Sequence, residues 1–511
     1  MEPTAEERDQ REAIDFLSRP ATYSLTCSPG VACVERVDTH CSIVFLAGDF
    51  AYKLKRAISY ADLDYTTRER RRKACEAELV LNRRTAPDLY LAVRAIRRDA
   101  SGALAFDGAG PALEHVVVMR RFAEENLFEH LAERFALERD AFAYAYVSRS
   151  SCLFSRVIHA FGSSTSGDHA LTPERMIALG AAVAHLHRMA EITPEHGGAE
   201  AIRRVIAGNR RELARVQLAL DGARPDGASI CAAEHRVLCE LARQTPLLER
   251  RRLSGKVRRC HGDLRLANIV LVAGRPLLFD CVEFSDEIAC IDVLYDLAFL
   301  LMDLLLRDRS DLASLVFNAY LDQEPETDGL AALPLFLSLR AATRSYGLAG
   351  GAGRKENPRE RARLLASARR HLDAAAAFLD PEPARLIALG GGACGEAGAR
   401  LAVSLAGLVP PPPGARIVHI GPSAASAWEE AGAALAGGCS VLAEGAFLSQ
   451  AERSRAAAVA ERRGVAFVGF WLGVPGLGVP GAGLECPPWR ILETGRGVLA
   501  TLAGVAERGC G

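Results

Sequence analysis

The segment that most constrains this chain is Arg259 to Glu283, RCHGDLRLANIVLVAGRPLLFDCVE. It carries His261-Gly262-Asp263, then Asn268, then two apolar runs separated by Ala273-Gly274, then Asp280. Short apolar runs on either side of a glycine-containing pair predict a β-hairpin. A hairpin doubles back, so it would return Asp280 to the side of Asn268, at one metal site. Phosphoryl transfer from ATP needs such groups. One carboxylate orients the acceptor hydroxyl and takes its proton, while an amide and a second carboxylate hold the magnesium ions that bridge the phosphates. The spacing casts Asp263 as the base, and Asn268 and Asp280 as metal ligands. For His-Gly-Asp taken alone, a surface turn with incidental acids is an equal alternative.

The string HGDLxxxN followed by a hairpin and an Asp resembles the catalytic core of the aminoglycoside phosphotransferase family, a branch of the protein-kinase-like fold. The longer run from VRRCHGDLRLANIVL to IDVLYDLAFLLMDL is similar to the bacterial bifunctional aminoglycoside phosphotransferase/ATP-binding proteins, which join a kinase-like domain to a C-terminal P-loop domain. The resemblance runs from about residue 30 to the end. It implies an α+β two-lobed protein-kinase-like fold, followed by a smaller α/β P-loop-like domain. Residues 1–380 would be the kinase-like domain, with a small lobe over about 25–120 and a large lobe over about 121–380. Residues 384–511 would be the P-loop-like domain, after the linker Pro381-Glu382-Pro383.

A chain of 511 residues exceeds one ordinary core, so two or three domains are expected. Hydrophobic residues at 49% and charged residues at 24% fit a water-soluble globular protein. A net charge of -1 gives no electrostatic case for a nucleic-acid or membrane partner. The 14 cysteines are scattered without a CxxC pair, which suits a reducing cytoplasm better than a disulfide framework or a metal cluster. The start, MEPTAEERDQREAIDF, lacks an apolar signal core. The apolar run Val293 to Leu306 is short and interrupted by Asp296 and Asp303, so a buried helix is expected.

Upstream, residues 5–18 predict a helix with Ile14 and Leu17 on one side. Cys41–Phe45 and Phe50–Leu54 flank Gly48-Asp49 as a hairpin. Strand alternation puts Ala51, Lys53 and Lys55 on one face. Ala51-Tyr52-Lys53 matches the Ala-x-Lys of the kinase third strand, which implies that Lys53 reaches the ATP phosphates, with Lys55 the second choice. No Gly-rich loop precedes it. Thr39 and Ser42, in a Thr-His-x-Ser string that resembles the bifunctional family, are candidate phosphate contacts, and an ordinary turn fits them equally. Thr66 to Arg84 predicts a charged helix. Its Glu78 best matches the acid that fixes the strand lysine, and Glu76 is second. Met119-Arg120-Arg121 falls where the adenine-binding hinge would lie. Residues 138–170 look like loop, and Thr172-Pro173-Glu174 opens a helix. His185 and His187 do not share a helix face, so packing or capping suits them better than metal binding. Ile291 to Leu306 predicts a helix with Asp292 and Asp296 on one face. The family pattern gives Asp296 and His261 structural support of the catalytic loop. Glu283, Asp286, Glu287 and Asp292 make an acidic loop, compatible with an amine-bearing acceptor.

Near the C-terminus, an apolar strand over Ala384–Gly390 leads into a glycine-rich turn, as in a P-loop. That turn has no Lys, Ser or Thr, and it puts Glu396 where an anion would bind. Ser440–Glu444 and GVAFVGFWL resemble the family's further strands, while the Gly- and Pro-rich stretch after Val474 lacks an arginine-bearing lid. A degenerate P-loop domain is expected, with anion binding by backbone N–H groups as the alternative. The sequence as a whole points to an ATP- and Mg2+-dependent phosphotransferase acting on a hydroxyl of a small molecule or protein. A non-catalytic nucleotide-binding scaffold is the alternative.

Overall fold

The computed structural model describes residues 5–23, 31–60, 63–133, 171–221, 227–391, 401–403, 405–421, 424–473 and 489–493. The loops expected within 138–170, the glycine-rich turn beyond Gly391 with its Glu396, and the Gly/Pro-rich stretch after Val474 lie outside these residues. The chain forms two compact units, Met1–Leu131 with Arg259–Ile291, and Ala132–Arg258 with Asp292–Gly511.

The first unit is built on a six-stranded antiparallel sheet. Its strands are β1 (Glu35–Asp38), β2 (Ser42–Ala47), β3 (Phe50–Lys55), β4 (Tyr90–Arg98), β5 (Leu104–Phe106) and β6 (Ala112–Arg120), in the order β1-β2-β3-β6-β4-β5. Side chains alternate across a strand, so β3 serves two layers at once. Tyr52 and Leu54 enter a core with Ala13 and Leu17 of α1 (Ala5–Leu17), together with Ile43, Phe45 and Val116. Ala51 faces the other way, toward Cys75 of α2 (Arg68–Asn82), with Val117 and Met119. Lys53 and Lys55 share that second face, as the alternation predicts. From α1, Gln10 donates to the Lys55 carbonyl at 3.0 Å and accepts from the Ala57 N–H at 2.8 Å, which fixes the end of β3.

The helix expected over Thr66–Arg84 is shorter, because the Thr67 side chain caps it by accepting from the Arg70 N–H. Its buried positions are Arg71, Ala74, Cys75, Glu78 and Asn82, a helical stripe that is largely polar. Arg71 is paired with Glu114 at 2.5 Å, both fully buried. In the same unit, β7 (Ile269–Val272) and β8 (Arg275–Leu278) form the expected hairpin. Ala273 and Gly274 both have positive φ, 48° and 75°, as a two-residue type I′ loop requires.

The second unit joins a helical body to a parallel sheet. The helices α3 (Pro173–Met189), α4 (Gly198–Asp221), α5 (Gly227–Leu253), α6 (Val293–Leu305), α7 (Ser310–Gln323), α8 (Leu333–Ala352) and α9 (Pro358–Ala377) make the body. α3 begins as its sequence predicts, with Thr172 accepting from the Arg175 N–H and Pro173 in the first turn. α6 is buried nearly all round, which explains its apolar run, and its two interrupting acids, Asp296 and Asp303, are buried with it. It does not include Asp292. That residue is its N-cap, bonded to the Leu294 N–H at 2.9 Å and gripped through both oxygens by buried Arg251 at 2.8 Å. Asp292 and Asp296 therefore do not share a helix face. Among the described residues no helix is long and apolar enough to cross a membrane.

The parallel sheet consists of β9 (Arg385–Gly390), β10 (Arg416–Ile420), β11 (Val441–Gly445), β12 (Ala466–Gly473) and β13 (Trp489–Glu493), in the order β10-β11-β9-β12-β13. The helices α10 (Ala425–Ala436) and α11 (Gln450–Arg463) belong to it. An edge strand leaves a row of backbone groups without partners. On β10 the side chain of Asn318, from α7, takes the place of a neighbouring strand. It donates to the Ala415 carbonyl at 3.0 Å and accepts from the Ile417 N–H at 2.8 Å. Arg416, itself buried, adds bonds to the exposed Asp322 of α7 at 2.6 Å and to the half-exposed Glu430 of α10 at 2.7 Å. At Gly407 a Cβ would lie 2.8 Å from the Ser310 carbonyl, so only glycine permits this approach to the start of α7. Replacing Asn318 by Ala leaves two backbone groups without partners. We expect it to lower stability by about 1–3 kcal/mol, measured by urea unfolding; an unchanged midpoint would show that the edge is not held in this way.

Candidate active site

The first unit contains every candidate site residue except Asp296. Lys53, on the α2-facing side of β3, places its Nζ 2.8 Å from Glu78 Oε1 and 2.5 Å from Asp280 Oδ1. Glu78 is the acid selected over Glu76, which is exposed and paired with Arg72 at 2.6 Å. Lys55 is more than a second choice. It is buried beside the same Glu78, at 2.5 Å from Oε2, and also pairs with Glu283, whose carboxylate accepts from the Tyr65 hydroxyl as well. One fully buried carboxylate is thus shared by two lysines, each tied to a further acid on the segment that leaves the hairpin.

That segment is held at several points. Asp280 adopts φ 63°, a conformation rare for a residue with a side chain, and its N–H donates to the Tyr90 hydroxyl at 3.1 Å. The next N–H, of Cys281, donates to Asn82 Oδ1 at 2.9 Å, and Asn82 donates back into α2 at the Glu78 carbonyl. Asn82 therefore connects the end of α2 to the Asp280 segment. The Phe279 N–H donates to the Asn268 carbonyl at 3.0 Å, so the hairpin does return Asp280 beside Asn268.

His261 is buried, with Nε2 2.9 Å from the Phe279 carbonyl, and its own carbonyl accepts from the Val282 N–H. Gly262 has φ 85°, and a Cβ there would press on Val282 at 3.0 Å. Asp263 follows. Its Oδ1 accepts from Arg265 Nε at 2.8 Å, and its Oδ2 accepts from Arg265 Nη2 at 3.0 Å and from Asn268 Nδ2 at 2.8 Å. Asn268 Nδ2 also donates to the Asp263 carbonyl. With the amide nitrogen turned to Asp263, Asn268 Oδ1 is the atom left to meet a cation. A carbonyl-type oxygen and an ionised carboxylate are the hard donors that Mg2+ selects, so Asn268 and Asp280 fit that ion chemically.

Burial disfavours charge on every member of this cluster, yet the pairing prevails. Lys53 and Lys55 are raised well above the ordinary lysine range, Lys53 chiefly by Asp280 and Glu78, Lys55 by Glu283 and Glu78. Glu78 is lowered, the two ammonium groups outweighing its burial. Asp280 is held down to about 2, where burial is outweighed by Lys53, then Lys55 and His261.

The other candidates lie as follows. Thr39 closes a turn. Its hydroxyl accepts from the Ser42 N–H at 2.9 Å and meets the Ser42 carbonyl at 3.0 Å, while Ser42 is fully buried with its hydroxyl toward Cys41 Sγ. Both residues thus take part in a turn and the start of β2. Met119 is buried in β6 between Ala51 and Tyr90. Asp296, in the second unit, is fully buried, 3.1 Å from His187 Nε2, with Tyr320 on the other ring nitrogen at 3.0 Å. His187 is thus a packed core histidine. The acidic loop also changes character. Glu283 and Asp292 are buried and paired with Lys55 and Arg251, and Asp286 pairs with Arg259 at 2.7 Å. Most of its charge is internally balanced, so it gives little support to an amine-bearing acceptor.

Residues 118–333 match the model of the phosphotransferase enzyme family. The matched range includes Asp263, Asn268 and Asp280 and begins after Lys53 and Glu78. Uncharacterised proteins of Mycobacterium bovis and Mycobacterium tuberculosis are 27% identical over 308 residues, covering 60% of this chain and 53% of theirs. The chain thus spans about half the length of these curated relatives. Among solved structures, a choline/ethanolamine kinase family protein from Mesorhizobium loti is 15% identical with a TM-score of 0.38, over 71% of this chain and 99% of that one. A choline kinase from Cryptosporidium parvum is 10% identical with a TM-score of 0.41, over 73% and 96%. A putative aminoglycoside phosphotransferase from Ralstonia eutropha is 10% identical with a TM-score of 0.39, over 72% and 98%.

The depressed Asp280 carries a sign that can be measured. A carboxyl lowered in the folded state stabilises the fold above its ordinary range, near pH 4, and that contribution is lost as pH falls toward about 2. In metal-free buffer the native chain should therefore lose stability more steeply than Asp280→Asn between about pH 4 and pH 2. Parallel stability curves for the two proteins over that window would contradict the Lys53–Asp280 pairing.

Proposed function

We propose that the chain is an ATP- and Mg2+-dependent phosphotransferase that moves a phosphoryl group to a hydroxyl of a small-molecule or protein acceptor. The observation that carries this is the Lys53 ammonium held between Glu78 and Asp280, next to a loop in which Asn268 bonds Asp263. The family match over residues 118–333 supports the phosphotransferase class. The fold proposed is kinase-like, with the residue 118–333 match inside an N-terminal domain of about residues 1–380.

In this reading Lys53 binds the nucleotide phosphates, with Glu78 holding its ammonium in place. Asn268 and Asp280 would hold Mg2+, which would supply charge neutralisation at the phosphate oxygens. Asp263 orients the acceptor hydroxyl. The bond between the γ-phosphorus and the β–γ bridging oxygen breaks, and its electron pair stays on ADP. A bond forms between that phosphorus and the acceptor oxygen, whose proton passes to Asp263. His261 supports the loop through the Phe279 carbonyl. Asp296 is assigned a supporting role, tying α6 to α3 through His187. The sheet β9–β13 is proposed to be a P-loop-type domain that has lost its nucleotide chemistry, with the chain working in a reducing cytoplasm.

The test is Asp263→Ala in the full chain. Phosphoryl transfer from ATP should fall by roughly 10²–10⁴-fold, the worth of a positioned general base, while MgATP affinity stays within about threefold of the native protein. Normal turnover by this variant would refute the assignment. Native-like nucleotide binding with no turnover by either protein, across a broad acceptor panel, would favour a non-catalytic nucleotide-binding role.

A further inference from the structure

Each of the four residues that lead from the hairpin through Asp280 has its N–H held. Phe279 and Val282 donate to backbone carbonyls of the catalytic loop, those of Asn268 and His261. Asp280 and Cys281 donate instead to side chains, the Tyr90 hydroxyl at 3.1 Å and Asn82 Oδ1 at 2.9 Å. Asn82 and Tyr90 are both fully buried. We propose that Asn82 and Tyr90 are positioning residues for the magnesium ligand, setting the backbone of Asp280 so that its carboxylate is available to the ion. This rests on the phosphotransferase reading above.

A residue has two soft backbone torsions, one on each side of its Cα. The N–H of Asp280 belongs to the peptide plane before its Cα, and the N–H of Cys281 to the plane after it. Holding both planes fixes φ and ψ, so only the side-chain torsions remain. The restraint matters here because φ is 63°, where a side chain is disfavoured and a freed backbone relaxes to negative φ. Such a relaxation redirects the Cα–Cβ bond and carries the carboxylate away from Lys53, which it meets at 2.5 Å. The Asp280 side chain is 42% exposed, so packing alone does not hold it.

The two side chains are themselves set by one short segment. Asn82 ends α2 and donates to the Glu78 carbonyl at 2.8 Å. The chain then turns, with the Ala86 N–H on the Asn82 carbonyl at 2.8 Å and the Tyr90 N–H on the Ala86 carbonyl at 3.1 Å. Within this turn Thr85 Oγ1 donates to the Leu278 carbonyl at 2.7 Å, and Arg84 Nη1 donates to the Arg259 carbonyl at 2.8 Å. The segment therefore grips the chain where it enters the catalytic loop and where the hairpin leaves it. Helix α2 serves the site twice, through Glu78 on the lysine and, one turn on, through Asn82 on the metal ligand. Partners that orient a metal ligand matter nearly as much as the ligand, and losing one typically costs about 10–100-fold in metal affinity.

The experiment separates metal binding from nucleotide binding, and it uses the full chain without needing the acceptor. The dissociation constant of ATP is measured with Mg2+ and with a chelator for the native protein, Tyr90→Phe, Asn82→Leu and Thr85→Val. In chelator all four should agree within about twofold, because Lys53 is untouched. Mg2+ should tighten binding to the native chain at least about tenfold, and Tyr90→Phe and Asn82→Leu should each lose roughly tenfold of that tightening. Thr85→Val cuts a bond of the same segment without freeing either peptide of Asp280, so it should keep the tightening. Tyr90→Phe removes one oxygen and keeps the buried ring, so it carries the test if Asn82→Leu does not fold. Three results would overturn the proposal. Undiminished tightening in Tyr90→Phe would leave the phosphotransferase reading intact and refute the positioning role. Equal losses with and without Mg2+, or the same loss in Thr85→Val, would make the segment structural only. Failure of the native chain to bind ATP, or binding indifferent to Mg2+, would remove the phosphotransferase reading itself, and this inference with it.

Discussion

The architecture of the first unit depends on one fully buried carboxylate, that of Glu78. An isolated charge at that depth would cost several kcal/mol, so it survives only because two ammonium groups meet its two oxygens. Each of those lysines is in turn tied to an acid beyond the hairpin, Lys53 to Asp280 and Lys55 to Glu283. Strand β3, helix α2 and the segment after β8 are therefore joined through one alternating row of charges. None of these elements can shift without exposing a buried charge to a missing partner. The positive φ of Asp280 is tolerated in this setting, since Tyr90, Lys53 and the Asn82–Cys281 bond all hold it.

Much of this was legible in the sequence, for reasons that are physical. Period-two alternation fixed the common face of Ala51, Lys53 and Lys55. The spacing of Asp263, Asn268 and Asp280 around a hairpin could be read because hairpins are local and their loop residues are specific, as the paired positive φ values of Ala273 and Gly274 confirm. The expected cap at Thr172 and the buried character of α6 were legible for the same reason, since both are short-range signals.

What the sequence hid was long-range. Nothing near Lys55 announces that it meets Glu283, a residue far along the chain that looks like part of a solvated acidic loop. The same is true of Asp292, which resembles a helix-face acid until Arg251 is seen to grip it. Hydrophobic periodicity also fails on α2, whose buried face is lined by Arg71, Glu78 and Asn82 as much as by Ala74 and Cys75. The parallel sheet gives a further case. The edge of strand β10 is closed by a side chain from α7 rather than by another strand. The helical body and this sheet fall in one compact unit, and Asn318 and Arg416 link α7 to β10 within it.

The proposed function requires Lys53, Glu78, Asn268 and Asp280 to form one magnesium-dependent nucleotide site. The most direct measurement is calorimetric titration of ATP into the full chain, with Mg2+ and again with a chelator. The account predicts a single site whose affinity falls at least about tenfold when the metal is removed. Absence of binding, or equal affinity with and without Mg2+, would contradict it.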